Sequence, residues 1–402
     1  MAQAFEGIRV IDFTQVLAGP FATQQIATLG ADVIKIELPG VGDQTRALTL
    51  GEDPDSKPPR GAFMSCNLGK RSITLDLKTE EAKSIVHALV ATADVVVENF
   101  RPGVMASLGF DYETLAAIQQ GLIYCSVSGY GQTGPKSGYP AYDGAIQADS
   151  GMMSLNGHTE TGPTRTGYMP VDMATALNAA FAIAAALYRK KVTGEGQYLD
   201  VAMMDTAIVM QTPQVSSYLF NQGNLPELIG NKSPSGHPTG NVFQTTDGHI
   251  QIVALRATQV QSFFTVLGCE TLLDDPAYAT AKARMAIYDE VFDMVSEKLG
   301  KDTTSNWIEK LVAANVPCAD IRRVDQVVLD EQFEHRKTFI DIPSRFTEGE
   351  TVRLVRAGYQ TNVDGPQGNA PPPRLGEHTD ELLTEIGYSQ PDIEALRKRG
   401  VV

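Results

Sequence analysis

Cationic side chains are scarce in this sequence: 33 lysines and arginines stand against 48 aspartates and glutamates, a formal charge of −15. A nucleic-acid binder needs a basic face, and this balance argues against one. A small anion is still compatible, because a few local cations or a helix N-terminus suffice to hold it. Cysteine is rare too. Cys66, Cys125, Cys269 and Cys318 lie far apart and form no Cys-x-x-Cys pair, which fits a reduced, cytoplasmic setting. The six histidines, His87, His158, His237, His249, His335 and His378, include no pair at metal-ligand spacing, so no metal site is expected. Gly-x-Ser-x-Gly is absent, and with it the elbow of a serine hydrolase. The longest apolar run, Met173–Tyr188, is interrupted by Thr175 and Asn178; it is too short for a membrane span and reads as a buried helix. Residues 1–20 lack the charged and then apolar pattern of a leader.

What is present suffices for a sizeable core: 402 residues, 43% hydrophobic and 20% charged, a length that predicts two or three domains. Strand-like runs at Ile8–Phe13, Asp32–Glu37, Ser72–Leu77, Val95–Glu98 and Leu122–Val127 alternate with helical stretches at Phe21–Leu29, Thr79–Ala93 and Tyr112–Gln120. Alternation at this spacing predicts an α/β fold with a parallel sheet. A long helix over 172–191 ends at Arg189-Lys190-Lys191, with Gly194 and Gly196 just beyond. After about residue 220 the pattern changes. A Gly/Pro/Ser-rich stretch at Asn231–Gly240, short strands at Val242–Thr245 and Ile250–Ala254, and helices through 315 predict a smaller α+β domain. The expected division is 1–220, 221–325 and 326–402. Within the last part, Asn362–Arg374 carries Pro366, Pro371, Pro372 and Pro373 and reads as an extended connector, not a packed element.

Each candidate for chemistry has a plain alternative. Gln15-Val-Leu-Ala-Gly-Pro20 offers one glycine where a dinucleotide fingerprint needs three, so a structural strand-to-helix turn is the favoured reading over a nicotinamide site. Asp172 stands just ahead of the apolar helix, as an N-cap or as a carboxylate nucleophile. Arg46, Lys70 and Arg71 are phosphate contacts or solvated cations. Gly236-His237-Pro238 is a flap or an interdomain loop, and Met203-Met204 reads as core.

Several segments together resemble class III CoA-transferases, the family of formyl-CoA transferase and carnitine CoA-transferase. They are Gly7–Pro20, Gly30–Glu37, Gly42–Arg46, Asn67–Asp76, Ala93–Gly103, Ser128–Pro135, Tyr142–Met152, Thr193–Gln197 and Leu375–Asp380, in order along nearly the whole chain. The resemblance implies a large Rossmann-like domain with a small inserted domain, each chain an open ring interlocked with a second copy. It implies that Asp172 attacks an acyl-CoA thioester, giving an aspartyl anhydride and then an aspartyl-CoA thioester. Coenzyme A is then substrate and product, with no permanently bound cofactor; the partners are an acyl-CoA, plausibly succinyl-CoA, and a carboxylic acid, with neither nucleic acid nor membrane.

The same resemblance places Val16, Leu17, Ala18, Asn99, Phe100 and Met203 on CoA. Leu38 and Ser107 stand where formyl-CoA transferase has arginines, leaving Arg46, Arg71, Arg101 and Lys136 for the phosphates. That enzyme has glutamine at Leu17, with Gln15 here as its substitute, and a tetraglycine flap where this chain has Ser235–Gly240. Acid selectivity is assigned to Gln15, Tyr139, Tyr142, Gly236 and His237. α-Methylacyl-CoA racemase, a relative with the same aspartate, has His-Asp where this chain has Tyr142-Asp143, so the second base of a racemase is missing. A racemase and a non-catalytic CoA-binding subunit are the alternatives.

Overall fold

Runs such as Val95-Val-Val have no polar face to give to water, so they belong in a sheet covered on both sides. The computed structural model describes residues 3–48, 61–221, 225, 227–345, 349–368 and 370–402. Its central sheet has six strands: β1 (Arg9–Asp12), β2 (Asp32–Glu37), β3 (Arg71–Thr74), β4 (Val95–Glu98), β5 (Ile123–Ser128) and β6 (Gln197–Ala202). Their order is β3-β2-β1-β4-β5-β6, and every pair is parallel. The first five match the sequence reading within a few residues. β6 went unforeseen: it alternates half-buried and exposed residues over Gln197–Asp200, as an edge strand does, and pairs with β5 alone.

Ile11, Ile34, Ile73, Val96 and Tyr124 form one core face with helix α2 (Glu80–Val90). Val10, Val33, Val95, Val97 and Cys125 form the other with α1 (Ala18–Ala27) and α4 (Pro170–Thr193). The short helix α3 (Asp143–Asp149) precedes α4. Two C-terminal helices, α5 (Thr379–Glu385) and α6 (Gln390–Lys398), complete the first face through Leu382, Leu383, Ile393 and Leu396.

Four local expectations need correction. α1 starts before the expected Phe21: Ala18-Gly19-Pro20 is its first turn, where proline's missing N–H costs nothing. Gly19 is required there, since a Cβ would lie 2.4 Å from Thr14 Cβ. α4 is longer than expected, 24 residues from Pro170 at N1 to Gly194 at φ 77°. It is long and apolar enough to cross a membrane by length and composition, and it is buried on one side only. The stretch Asn362–Arg374, apart from Asn369, which lies outside the described residues, does pack: Pro366, Gly368, Pro372 and Pro373 are buried. The Gln367 N–H donates to Thr28 O at 2.7 Å. Ahead of it, Phe339–Pro343 and Thr351–Val355 pair as an antiparallel hairpin that the sequence reading missed.

The chain divides into two compact units: Met1–Met152, Thr166–Gly223 and Glu331–Val402 in the first, Met153–Arg165 and Asn224–Asp330 in the second. The second has a three-stranded antiparallel sheet of β7 (Gly240–Gln244), β8 (His249–Val253) and β9 (Cys318–Asp320), with β8 in the middle. Phe243, Ile250, Ile252, Phe263, Phe264 and Trp307 fill its core.

Candidate active site

In the central sheet β2 and β3 lie to one side of β1, and β4, β5 and β6 to the other. The crevice outside the carboxyl ends at such a reversal is where open α/β sheets bind ligands. A cavity of about 350 Å³ occupies it. Gln15, Val16, Leu17 and Ala18 arrive from the end of β1, Asn99, Phe100 and Arg101 from β4, and Ser128-Gly129 from β5. Met203 follows β6, Tyr139 and Tyr142 come from the loop before α3, and Asp172 from the start of α4. Eleven of the residues singled out in the sequence thus share one cavity wall.

The loop after β1 is held from two directions. Gln15 N–H donates to Asn99 Oδ1 at 2.8 Å, and Asn99 Nδ2 donates to Gln15 O at 2.7 Å. Val16 N–H donates to Asp43 Oδ1 at 3.2 Å, with Val16 in the left-handed region at φ 71°.

Asp172 is not an N-cap. The cap position belongs to Met169, whose side chain makes no capping bond, and Asp172 sits three residues further on. The capping work is done from a distance: Asp143 Oδ2 accepts the N–H groups of Val171 at 2.8 Å and Asp172 at 3.1 Å. Gln147 Nε2 donates to the other Asp143 oxygen at 2.5 Å. The Asp172 carboxylate itself accepts no hydrogen bond from a described residue and is left to face the cavity. Burial first, and then the negative charge of Asp143, push its carboxyl up to about 7. The N-terminal dipole of α4 pulls the other way, by about 0.3–1 kcal/mol, less than one pKa unit. Such a carboxylate is half-ionised near neutrality, more basic than a solvated one, and correspondingly more nucleophilic.

The profile of CoA-transferase family III matches residues 5–379. The chain belongs to that family. It is a CoA-transferase, moving CoA between an acyl-CoA and an acid. It is similar to succinate–glutarate CoA-transferase of Agrobacterium fabrum, 36% identical over 94% of this chain and 95% of the relative. It is also similar to formyl-CoA:oxalate CoA-transferase of Streptomyces avermitilis, 33% identical over 100% of both chains. Among solved structures, a CAIB/BAIF family protein from Brucella suis superposes with a TM-score of 0.85, at 33% identity over 96% of this chain and 100% of the other.

For a CoA-transferase the cations matter, and the structure sorts them. Arg101 is exposed, lines the cavity, and has no side-chain partner among the described residues. The others expected on CoA are engaged elsewhere and do not line this cavity. Arg46 grips Glu37 with two bonds of 2.7 and 2.6 Å, its guanidinium 3.7 Å over the Phe63 ring. Arg71 pairs with Asp32, Glu381 and Glu385. Lys136 pairs with Asp149 at 2.6 Å. Gly236 and His237 belong to the second unit, in the loop before β7. There Gly236 has φ 74° and His237 keeps a buried Nδ1 without a partner among the described residues. Sequence reasoning passed over Asp143 as a site residue. Its signal was an acid opening a helix directly after Tyr142, but its target lies 28 residues away.

Proposed function

We propose that this CoA-transferase takes CoA from a dicarboxylyl-CoA such as succinyl-CoA and passes it to a second carboxylic acid, glutarate being the first candidate, through covalent intermediates on Asp172. The observation that carries the reading is the Asp172 carboxylate, raised to about 7, without a hydrogen-bond partner among the described residues, and facing the switch-point cavity. The name of the Agrobacterium relative supports the choice of acids.

In the proposed sequence an Asp172 oxygen attacks the thioester carbonyl; the C–S bond breaks and CoA leaves as thiolate, giving a mixed anhydride. The thiolate attacks the aspartyl carbon and expels the donor acid as its carboxylate. The acceptor carboxylate attacks the resulting aspartyl-CoA thioester, again releasing thiolate. The thiolate then takes the acceptor acyl group and frees Asp172. Oxyanions form at each step, and the open N–H groups at the start of α1, where Leu17 provides no side-chain cap, are suited to meet them. Arg101 is assigned to CoA phosphate, Asn99, Phe100, Val16–Ala18 and Met203 to the rest of CoA, and Gln15, Tyr139, Tyr142, Gly236 and His237 to the acid. Tyr142, not a histidine, precedes Asp143, which weighs against a two-base racemase.

We also infer a homodimer of interlocked chains with a small inserted domain. Leu177, Phe181, Tyr188 and Val192 lie 53%, 73%, 71% and 67% exposed along one stripe of α4, an apolar surface suited to a protein partner.

The test is intact-protein mass spectrometry after mixing with succinyl-CoA and quenching, followed by peptide mapping. A hydroxylamine-sensitive adduct on Asp172, absent in Asp172→Ala, is expected. No adduct with any donor, combined with α-deuterium exchange on a 2-methylacyl-CoA, would transfer the case to the racemase.

A further inference from the structure

We propose that the buried Lys35–Asp43 ion pair is a positioning device for CoA transfer. It holds Val16 in its left-handed backbone conformation and so fixes the wall that Gln15, Val16 and Leu17 give to the Asp172 cavity. The inference rests on the covalent-transfer reading above and gives a role to Lys35 and Asp43, neither of which lines the cavity.

Three described residues other than glycine have a positive φ: Val16 at 71°, Asn315 at 56° and Lys337 at 52°. Asparagine tolerates that region; a β-branched side chain does not, and keeps it only where its surroundings impose it. The surroundings of Val16 do so through β2. Lys35 Nζ donates to Thr14 O at 2.6 Å and lies 2.9 Å from Asp43 Oδ2, and both side chains are fully buried. Asp43 Oδ1 in turn accepts Val16 N–H at 3.2 Å, Thr45 N–H at 2.9 Å and Thr45 Oγ1 at 2.7 Å. The two carboxylate oxygens therefore have separate tasks, one for the ammonium and one for the loop and the turn beyond β2. On the far side Asn99 fastens Gln15 at both its N–H and its carbonyl.

A buried ion pair adds little net stability over an apolar replacement of the same shape, so stability alone does not account for this one. Placement does. The strained residue is itself part of the cavity wall. Thioester attack tolerates little misalignment, a displacement of about 1 Å costing about 100-fold in rate.

Asp43→Asn separates the alternatives, because an amide has one acceptor oxygen and must give up either Lys35 or Val16 N–H. The readouts are the single-turnover rate of Asp172 labelling by succinyl-CoA and, by calorimetry, the affinity for CoA. Labelling is expected to slow about 100-fold while CoA affinity changes by less than about threefold. Glycine adopts φ 71° without cost, so a chain carrying V16G no longer needs the clamp. Compared at equal folded fraction, so that restored stability cannot account for the gain, the double variant V16G/D43N is expected to regain at least about tenfold over D43N. Labelling by D43N at the wild-type rate, or a double variant no better than the two single effects multiplied, overturns the proposal. If D43N does not fold, Lys35→Gln is put to the same rescue by V16G. Failure of both to fold with or without V16G makes the pair a folding element and also overturns the proposal. A wild-type chain that no donor labels sinks the covalent-transfer reading itself, and that result is visible before any variant is made.

Discussion

At the scale of single residues, the proposed chemistry turns on how Asp172 holds its proton. With the carboxylate as nucleophile, kcat/KM is expected to rise with pH through a limb near 7 and then level off. Asp143→Asn removes the neighbouring negative charge, so the limb is expected to move to lower pH; a pH–rate profile of both proteins checks this. The same shift has a cost in stability. The folded chain binds this proton more tightly than the unfolded chain, whose value is near 3.8, so stability falls as pH rises from about 4 to about 7. Asp172→Asn is expected to gain about 2 kcal/mol over wild type at pH 8 and almost nothing at pH 4, read from denaturant melts at both, while losing all turnover. The sequence placed Asp172 at the start of the apolar helix but could not decide between cap and nucleophile. The group that takes the capping task, Asp143, reaches α4 across 28 residues, a contact that spacing does not encode.

Among the elements, α4 shows how a helix start can be left free for chemistry. Its capping acceptor comes from α3, and the Asp172 carboxylate is left unengaged by the described residues. Asp143→Ala is expected to cost about 1–2 kcal/mol and to increase amide exchange in the first turn of α4, at Val171 and Asp172, with the far end unchanged; hydrogen exchange resolves the two ends. Legibility followed burial. β1 to β5 are runs buried on both faces and were plain in the sequence, whereas β6 and the hairpin Phe339–Pro343/Thr351–Val355 alternate with solvent and carry a weaker pattern. The proline cluster after residue 362 truthfully announced the absence of a hydrogen-bonded element. It could not announce that Pro366, Pro372 and Pro373 would be buried, because proline's ring packs as well as it breaks a ladder.

On the scale of the whole molecule, the apolar stripe of α4 predicts the assembly. Sedimentation velocity is expected to give twice the 43.4 kDa chain mass, and Phe181→Glu, which places a charge at a position 73% exposed, is expected to shift the protein toward single chains without unfolding them. The closure of the first unit by α5 and α6 reaches further. Asp76 N–H, just past β3, bonds to Val401 O at 2.8 Å, and Ile393, Leu396 and Val401 share a core with Ile11 and Ile34. A ribosome that has delivered all six strands has therefore still not delivered the side chains that seal one of their faces. The nascent sheet must wait, one apolar side only partly covered by α2, while residues 203–378 are translated, and it is in that interval that a chaperone would find its longest purchase on this chain.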